Sequence, residues 1–137
     1  DSFTSLARAL SARRVRYLVI GVWGANYYAP SGGAMFTTLD RDLFLPADPG
    51  NLLAAWRVCR GTGFDLFART EPLDEPHDAR LARMVVERRG LTRASDGMGT
   101  DVDLNLPRVR RHRSNALTLP PHLASPLRRC RPGVFTA

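Results

Sequence analysis

The stretch TTLDRDLFLP, Thr37 to Pro46, sets two aspartates two residues apart inside a β-rich run that Pro46 ends. In a strand, residues i and i+2 share a face, so Asp40 and Asp42 stand together, with Arg41 and Leu43 opposite. Like charges that close repel, and either solvent or a cation must sit beside them. A second pair with the same spacing, Asp101 and Asp103, lies in TDVDLNL. If the two strands are neighbours, three or four carboxylates meet on one patch. Oxygen donors without sulfur suit hard cations, Mg²⁺ or Mn²⁺. Such ions orient a triphosphate and an attacking oxygen for in-line phosphoryl transfer. The alternative is two solvated faces of edge strands, whose charge deters aggregation.

Outward from that stretch, the pattern predicts a mixed fold. TSLARALSARRV has apolar residues at helical spacing with Thr4 or Ser5 as cap, a helix over about residues 4–14. VRYLVIG reads as a buried strand ending at Gly21, and VWGANYYA as a short helix stopped by PSGG. Thr38–Leu45 is the next strand. ADPGNLLAAWRVCRGTG carries Asp48 as cap, Pro49 in the first turn and Gly61 or Gly63 at the end, with Leu52, Leu53, Trp56 and Cys59 on one side. FDLFA is a short strand. LDEPHDARLARMVVERRG opens on acids, closes on basic residues and spaces Leu81, Met84 and Val85 as a helix. LTRAS and TDVDLNLP flank DGMG as a hairpin. These elements make an α/β (α+β) domain, a mixed sheet flanked by helices, over residues 1–107.

Together, YLVIGVWGA, TTLDRDLFLP and DVDLNL resemble the nucleotidyltransferase superfamily built on the polymerase-β-type palm. Among its members, the AbiEii-type toxins of toxin–antitoxin pairs and the aminoglycoside nucleotidyltransferase-like small bacterial proteins share the Thr two residues before the first Asp, here Thr38. The resemblance spans about residues 15–106 and implies the minimal fold of that superfamily. It implies transfer of a nucleoside monophosphate from a Mg²⁺-bound (or Mn²⁺-bound) NTP, such as ATP, to a hydroxyl or phosphate acceptor, a small molecule or RNA. By the same resemblance Asp40 and Asp42 bind metal, and Asp103 is the third carboxylate, binding metal and helping to activate the acceptor. Gly21, Val22 and Gly24 border the triphosphate, with Thr38 nearby. Val22 stands where the family has a second small residue, and Arg41 where it has an apolar one. A degenerate member acting as a binding or regulatory module is the alternative these departures suggest. Thr92 and Arg93, on the hairpin, are further candidates to face the nucleotide.

Charge divides the chain. Every basic residue is Arg, and residues 1–103 hold thirteen of them against thirteen acids, whereas residues 104–137 hold seven Arg and no acid. Residues 108–137 therefore read as an irregular Arg/Pro-rich tail. RVRRHRSN and LRRCRPG offer phosphate contacts without the interleaved aromatics of a base-stacking surface. A change of reading frame in a GC-rich gene would also produce such a segment. Cys59 and Cys130 lack metal-ligand spacing and suggest free thiols in a reducing cytoplasm. His77, His112 and His122 form no triad spacing. No run reaches the ~18 apolar residues of a membrane span, and DSFTSLARALSARR has no signal-peptide apolar core. The chain starts without Met, as a fragment or processed form would.

Overall fold

The computed structural model describes residues 1–20 and 41–107, which belong to one compact unit, Asp1–Pro107. Among them are three helices and six strands: α1 (Ser2–Ala12), β1 (Leu18–Ile20), β2 (Arg41–Phe44), α2 (Pro49–Gly61), β3 (Asp65–Ala68), β4 (Glu71–Pro72), α3 (Ala79–Glu87), β5 (Thr92–Ser95) and β6 (Asp101–Asn105). The strands form one mixed sheet in the order β1-β2-β6-β5-β3-β4, so the fold is α+β. Only β2 and β6 run parallel; every other pairing is antiparallel. The expected site residues Gly21, Val22, Gly24, Thr38 and Asp40, the short helix expected in VWGANYYA and the tail from residue 108 lie outside the described residues.

Local chemistry sets the helix starts. Asp1 caps α1, its Oδ1 accepting from the Thr4 N–H at 2.7 Å. The start thus falls earlier than Thr4 or Ser5, because a carboxylate at the N-terminus meets both the free N–H groups and the helix dipole. Asp48 caps α2 as expected, accepting from the N–H groups of Gly50 and Asn51, with Pro49 in the first turn. Asp78 caps α3 and accepts from Leu81 N at 2.9 Å. That helix begins later than its acidic run, since Pro76 disfavours helical geometry at Glu75. Its buried residues are Ala82 and Val86, with Leu81 and Val85 partly covered; Met84 is exposed. The inward stripe is thus Ala82 and Val86, flanked by Leu81 and Val85. No described helix is long and apolar enough to cross a membrane.

One face of the sheet meets all three helices. Leu43, Val102, Leu104, Ala94 and Leu66 project from it into a core shared with Leu6 and Leu10 of α1, Leu52, Trp56 and Cys59 of α2, and Ala82 of α3. Trp56 is fully buried and its indole N–H donates to Thr92 Oγ1 at 3.2 Å, so the core's largest ring leaves no orphan donor. Burial of Cys59 pushes its thiol up to about 12, which keeps it protonated and unreactive at neutral pH.

The edge strand β1 is pinned by side chains. Asn51 of α2 bonds the backbone just before it twice, accepting from Arg16 N at 2.8 Å and donating to Arg16 O at 3.0 Å. Tyr17 adds a bond to Ala7 O of α1 at 3.0 Å, and Arg16 pairs with the capping Asp48.

Candidate functional site

The opposite face of the same sheet holds the acidic residues. Alternation sends Arg41 and Leu43 toward the helices and Asp42 and Phe44 away from them. Leu43 is fully buried, and the Arg41 guanidinium lies over the Phe3 ring of α1, 5.8 Å from its centroid. The basic residue between the two aspartates thus stacks on α1 at the helix side of the sheet.

The parallel pairing of β2 with β6 makes Asp42 and Asp103 register partners. Neighbouring strands run about 4.8 Å apart, so these two carboxylates stand side by side on one face. Asp101 shares that face two residues earlier on β6 and is exposed. The two Asp-containing strands are therefore adjacent, the condition on which a shared carboxylate patch depended. They are interior strands with a neighbour on each side, which removes the edge-strand explanation for their charges.

Two further side chains complete the row, and sequence singled out only one of them. Asn105 donates from Nδ2 to Asp42 Oδ1 at 3.2 Å. Arg93, the register partner of Asp103 on β5, donates from Nε to Asp103 Oδ1 at 2.6 Å and from Nη2 to Oδ2 at 3.2 Å. Its Nη1 lies 4.0 Å from Asp101 Oδ2. Thr92, considered beside Arg93, is on the other face: it is buried under Trp56 and cannot meet a ligand bound to the acids. The alternation of β5 (Thr92 and Ala94 in, Arg93 and Ser95 out) separates them. Asn105 had a legible signal in the same alternation, since DVDLN puts it on the face of Asp101 and Asp103.

The hairpin turn that leads into β6 is tightly built. Asp96 Oδ1 accepts from Met98 N at 2.8 Å and Thr100 N at 2.9 Å. Those backbone donors hold its carboxyl down at about 2. Gly97 and Gly99 occupy positive φ, 68° and 105°, where a side chain would strain the backbone.

His77 is placed structurally. Its Nε2 is 3.3 Å from Leu73 O and its ring centroid 6.2 Å from that of Trp56.

A hard cation finds oxygen donors of the right kind in Asp42 and Asp103, but both Asp103 oxygens already bond Arg93. Among the described residues no group of three His, Cys, Asp or Glu is gathered as a metal holder. The two carboxylates fit a divalent cation in donor type and alignment, provided that Arg93 shares or yields Asp103. No family model, curated protein or solved structure compared with the chain matches it.

Proposed function

We propose that residues 1–107 are a nucleotidyltransferase domain that moves a nucleoside monophosphate from a Mg²⁺-bound NTP to a hydroxyl or phosphate of a small molecule or RNA, with release of pyrophosphate. The observation that carries the reading is the alignment of Asp42 with Asp103 on adjacent parallel strands, on the face turned away from the helices. Asp42 and Asp103, with Asp40 two residues before Asp42, would hold the cation. A divalent ion supplies positive charge to the phosphates and aligns the reacting oxygens. The chain's own part is positional: the ladder fixes the carboxylates at one height, and Asn105 fixes the rotation of Asp42. An unreactive buried thiol at Cys59 and the free NTP such a reaction uses both suit a cytoplasmic enzyme.

The second reading, a degenerate member of the same superfamily that binds without transferring, is favoured by one observation. Arg93 occupies both oxygens of Asp103. Calorimetric titration of Mg²⁺–ATP and Mg²⁺–GTP into the full chain and into an Asp40→Ala/Asp42→Ala variant tests both. Binding that requires Mg²⁺ and is lost in the variant is expected. Nucleotide binding that ignores Mg²⁺ would favour the degenerate module, and no binding to either protein would reject both.

A further inference from the structure

Arg93 lies in the middle of the acidic face, and the sheet has no need of its charge. The β5–β6 ladder is made by backbone groups, and any residue suited to a strand satisfies it. What the guanidinium does is hold Asp103 through both oxygens, at 2.6 and 3.2 Å, with Asp101 within 4.0 Å as a second acid. Asp42, by contrast, receives the neutral amide of Asn105. The described part of the face carries four carboxylates, Asp42, Asp65, Asp101 and Asp103; Arg60 pairs with Asp65, and the charge of Arg93 goes to the carboxylate that the proposed reaction needs for a cation.

We propose that Arg93 is a positioning residue that guards the Asp42–Asp103 pair. It holds Asp103 while no divalent cation is bound, competes with the cation for those oxygens, and turns to Asp101 when displaced. The inference rests on the nucleotidyltransferase reading. Two properties make the exchange feasible. The pair is partly exposed, with side-chain accessibilities of 41% for Arg93 and 24% for Asp103, so solvent keeps it weak. A compact dication between two carboxylates answers both charges, whereas the flat guanidinium fork matches only one. Arg93 also holds Asp103 through both oxygens and offsets its charge beside Asp42 and Asp101, so the site stays assembled between turnovers.

The test is titration of Mn²⁺ and Mg²⁺ into the full chain and its Arg93→Gln and Arg93→Lys variants, followed by calorimetry and by Mn²⁺ paramagnetic resonance. Removing the competing charge should tighten cation binding about fivefold in Arg93→Gln, the equivalent of ~1 kcal/mol. Arg93→Lys keeps the charge but loses the fork, and should fall between the two. In the unmutated chain the Arg93 Nε–Hε resonance should move as Mg²⁺ saturates the site. Equal or weaker binding by Arg93→Gln overturns the guard while leaving the nucleotidyltransferase reading intact. Cation binding by none of the three proteins rejects both. Should Arg93→Gln fail to fold, the resonance decides: if it stays unmoved at saturating Mg²⁺, Arg93 does not exchange.

Discussion

The two faces of this sheet are built from alternate residues of the same strands, yet they obey different rules. On the helix side, Leu43, Val102 and Leu104 are fully buried and interlock with three helices, so each methyl group counts toward stability. On the other side, Asp42, Asp103, Arg93 and Asn105 are half exposed and joined by side-chain hydrogen bonds. A one-residue slip of register would exchange the two sets. The packed face therefore holds the acids in place. The acidic face, half exposed, is expected to add little to stability.

That contrast breaks first at Trp56. Truncation to Ala would remove the largest fully buried side chain among the described residues and strand the Thr92 hydroxyl. The expected loss is about 3–5 kcal/mol, read as a drop in the denaturant midpoint at unchanged slope. If Trp56→Ala costs no more than a change on the acidic face, the two faces do not differ as described.

Asn51 comes next. It is buried and bridges α2 to the Arg16 peptide through both ends of its amide. Asn51→Ala leaves a donor and an acceptor of that peptide without these partners, for an expected cost of about 1–3 kcal/mol. Because the bonds fasten the entry to β1, amide hydrogen exchange at Val19 and Ile20 should accelerate more than exchange in β5. A uniform acceleration would show that Asn51 supports the whole domain rather than this edge.

Much of this was legible in sequence, and what was missed has a physical cause. The hairpin around DGMG, the Asp48-Pro49 helix start and the outward set of Asp42 and Asp103 all follow from spacing and turn chemistry, which are local. The parallel pairing that brings Asp42 opposite Asp103 is not local: the chain passes through α2, β3, β4, α3 and β5 before it returns. Spacing could say only what would follow if the strands were neighbours. The spacing of Leu81, Met84 and Val85 gave the helix but not its rotation, since a short helix with apolar residues on two adjacent sides fits more than one, and the surface of α2 chooses. Asn51 gave no warning, since a polar residue in the first turn of a helix is ordinary until its partner strand is known. Whether Arg93 or Thr92 faced the acids depended on register, which one residue inverts.

Asp42→Asn sharpens the comparison from the other side. The substitution keeps the shape of the side chain and removes one of two aligned like charges. Stability should change by less than about 1 kcal/mol in either direction, while Mg²⁺-dependent nucleotide binding should be lost. A large destabilisation would mean that the acidic face is part of the structural framework after all. A folded variant that still binds Mg²⁺–ATP as well as the unmutated chain would remove Asp42 from the proposed site.

The smallest effect is expected at the turn between β5 and β6, and it is a pH effect. Asp96 titrates at about 2 in the folded chain against an ordinary 3.8, chiefly because its carboxylate accepts from the backbone of Thr100 and then of Met98. The folded state therefore binds this proton less readily than the unfolded state, and stability rises with pH wherever the two differ. The contribution is complete above about pH 4 and is lost as pH falls toward 2. Asp96→Asn can still accept the same bonds but does not titrate, so its stability should change less steeply than that of the unmutated chain over that window, with the two curves nearly parallel above it. Chemical denaturation at half-unit steps of pH measures the difference. Parallel curves throughout would show that the turn is held by Gly97 and Gly99 and by the Asp96 N–H bond to Thr100 O, with the carboxylate adding nothing. The acids opposite the helices would then remain as the face where charge matters for what the chain binds.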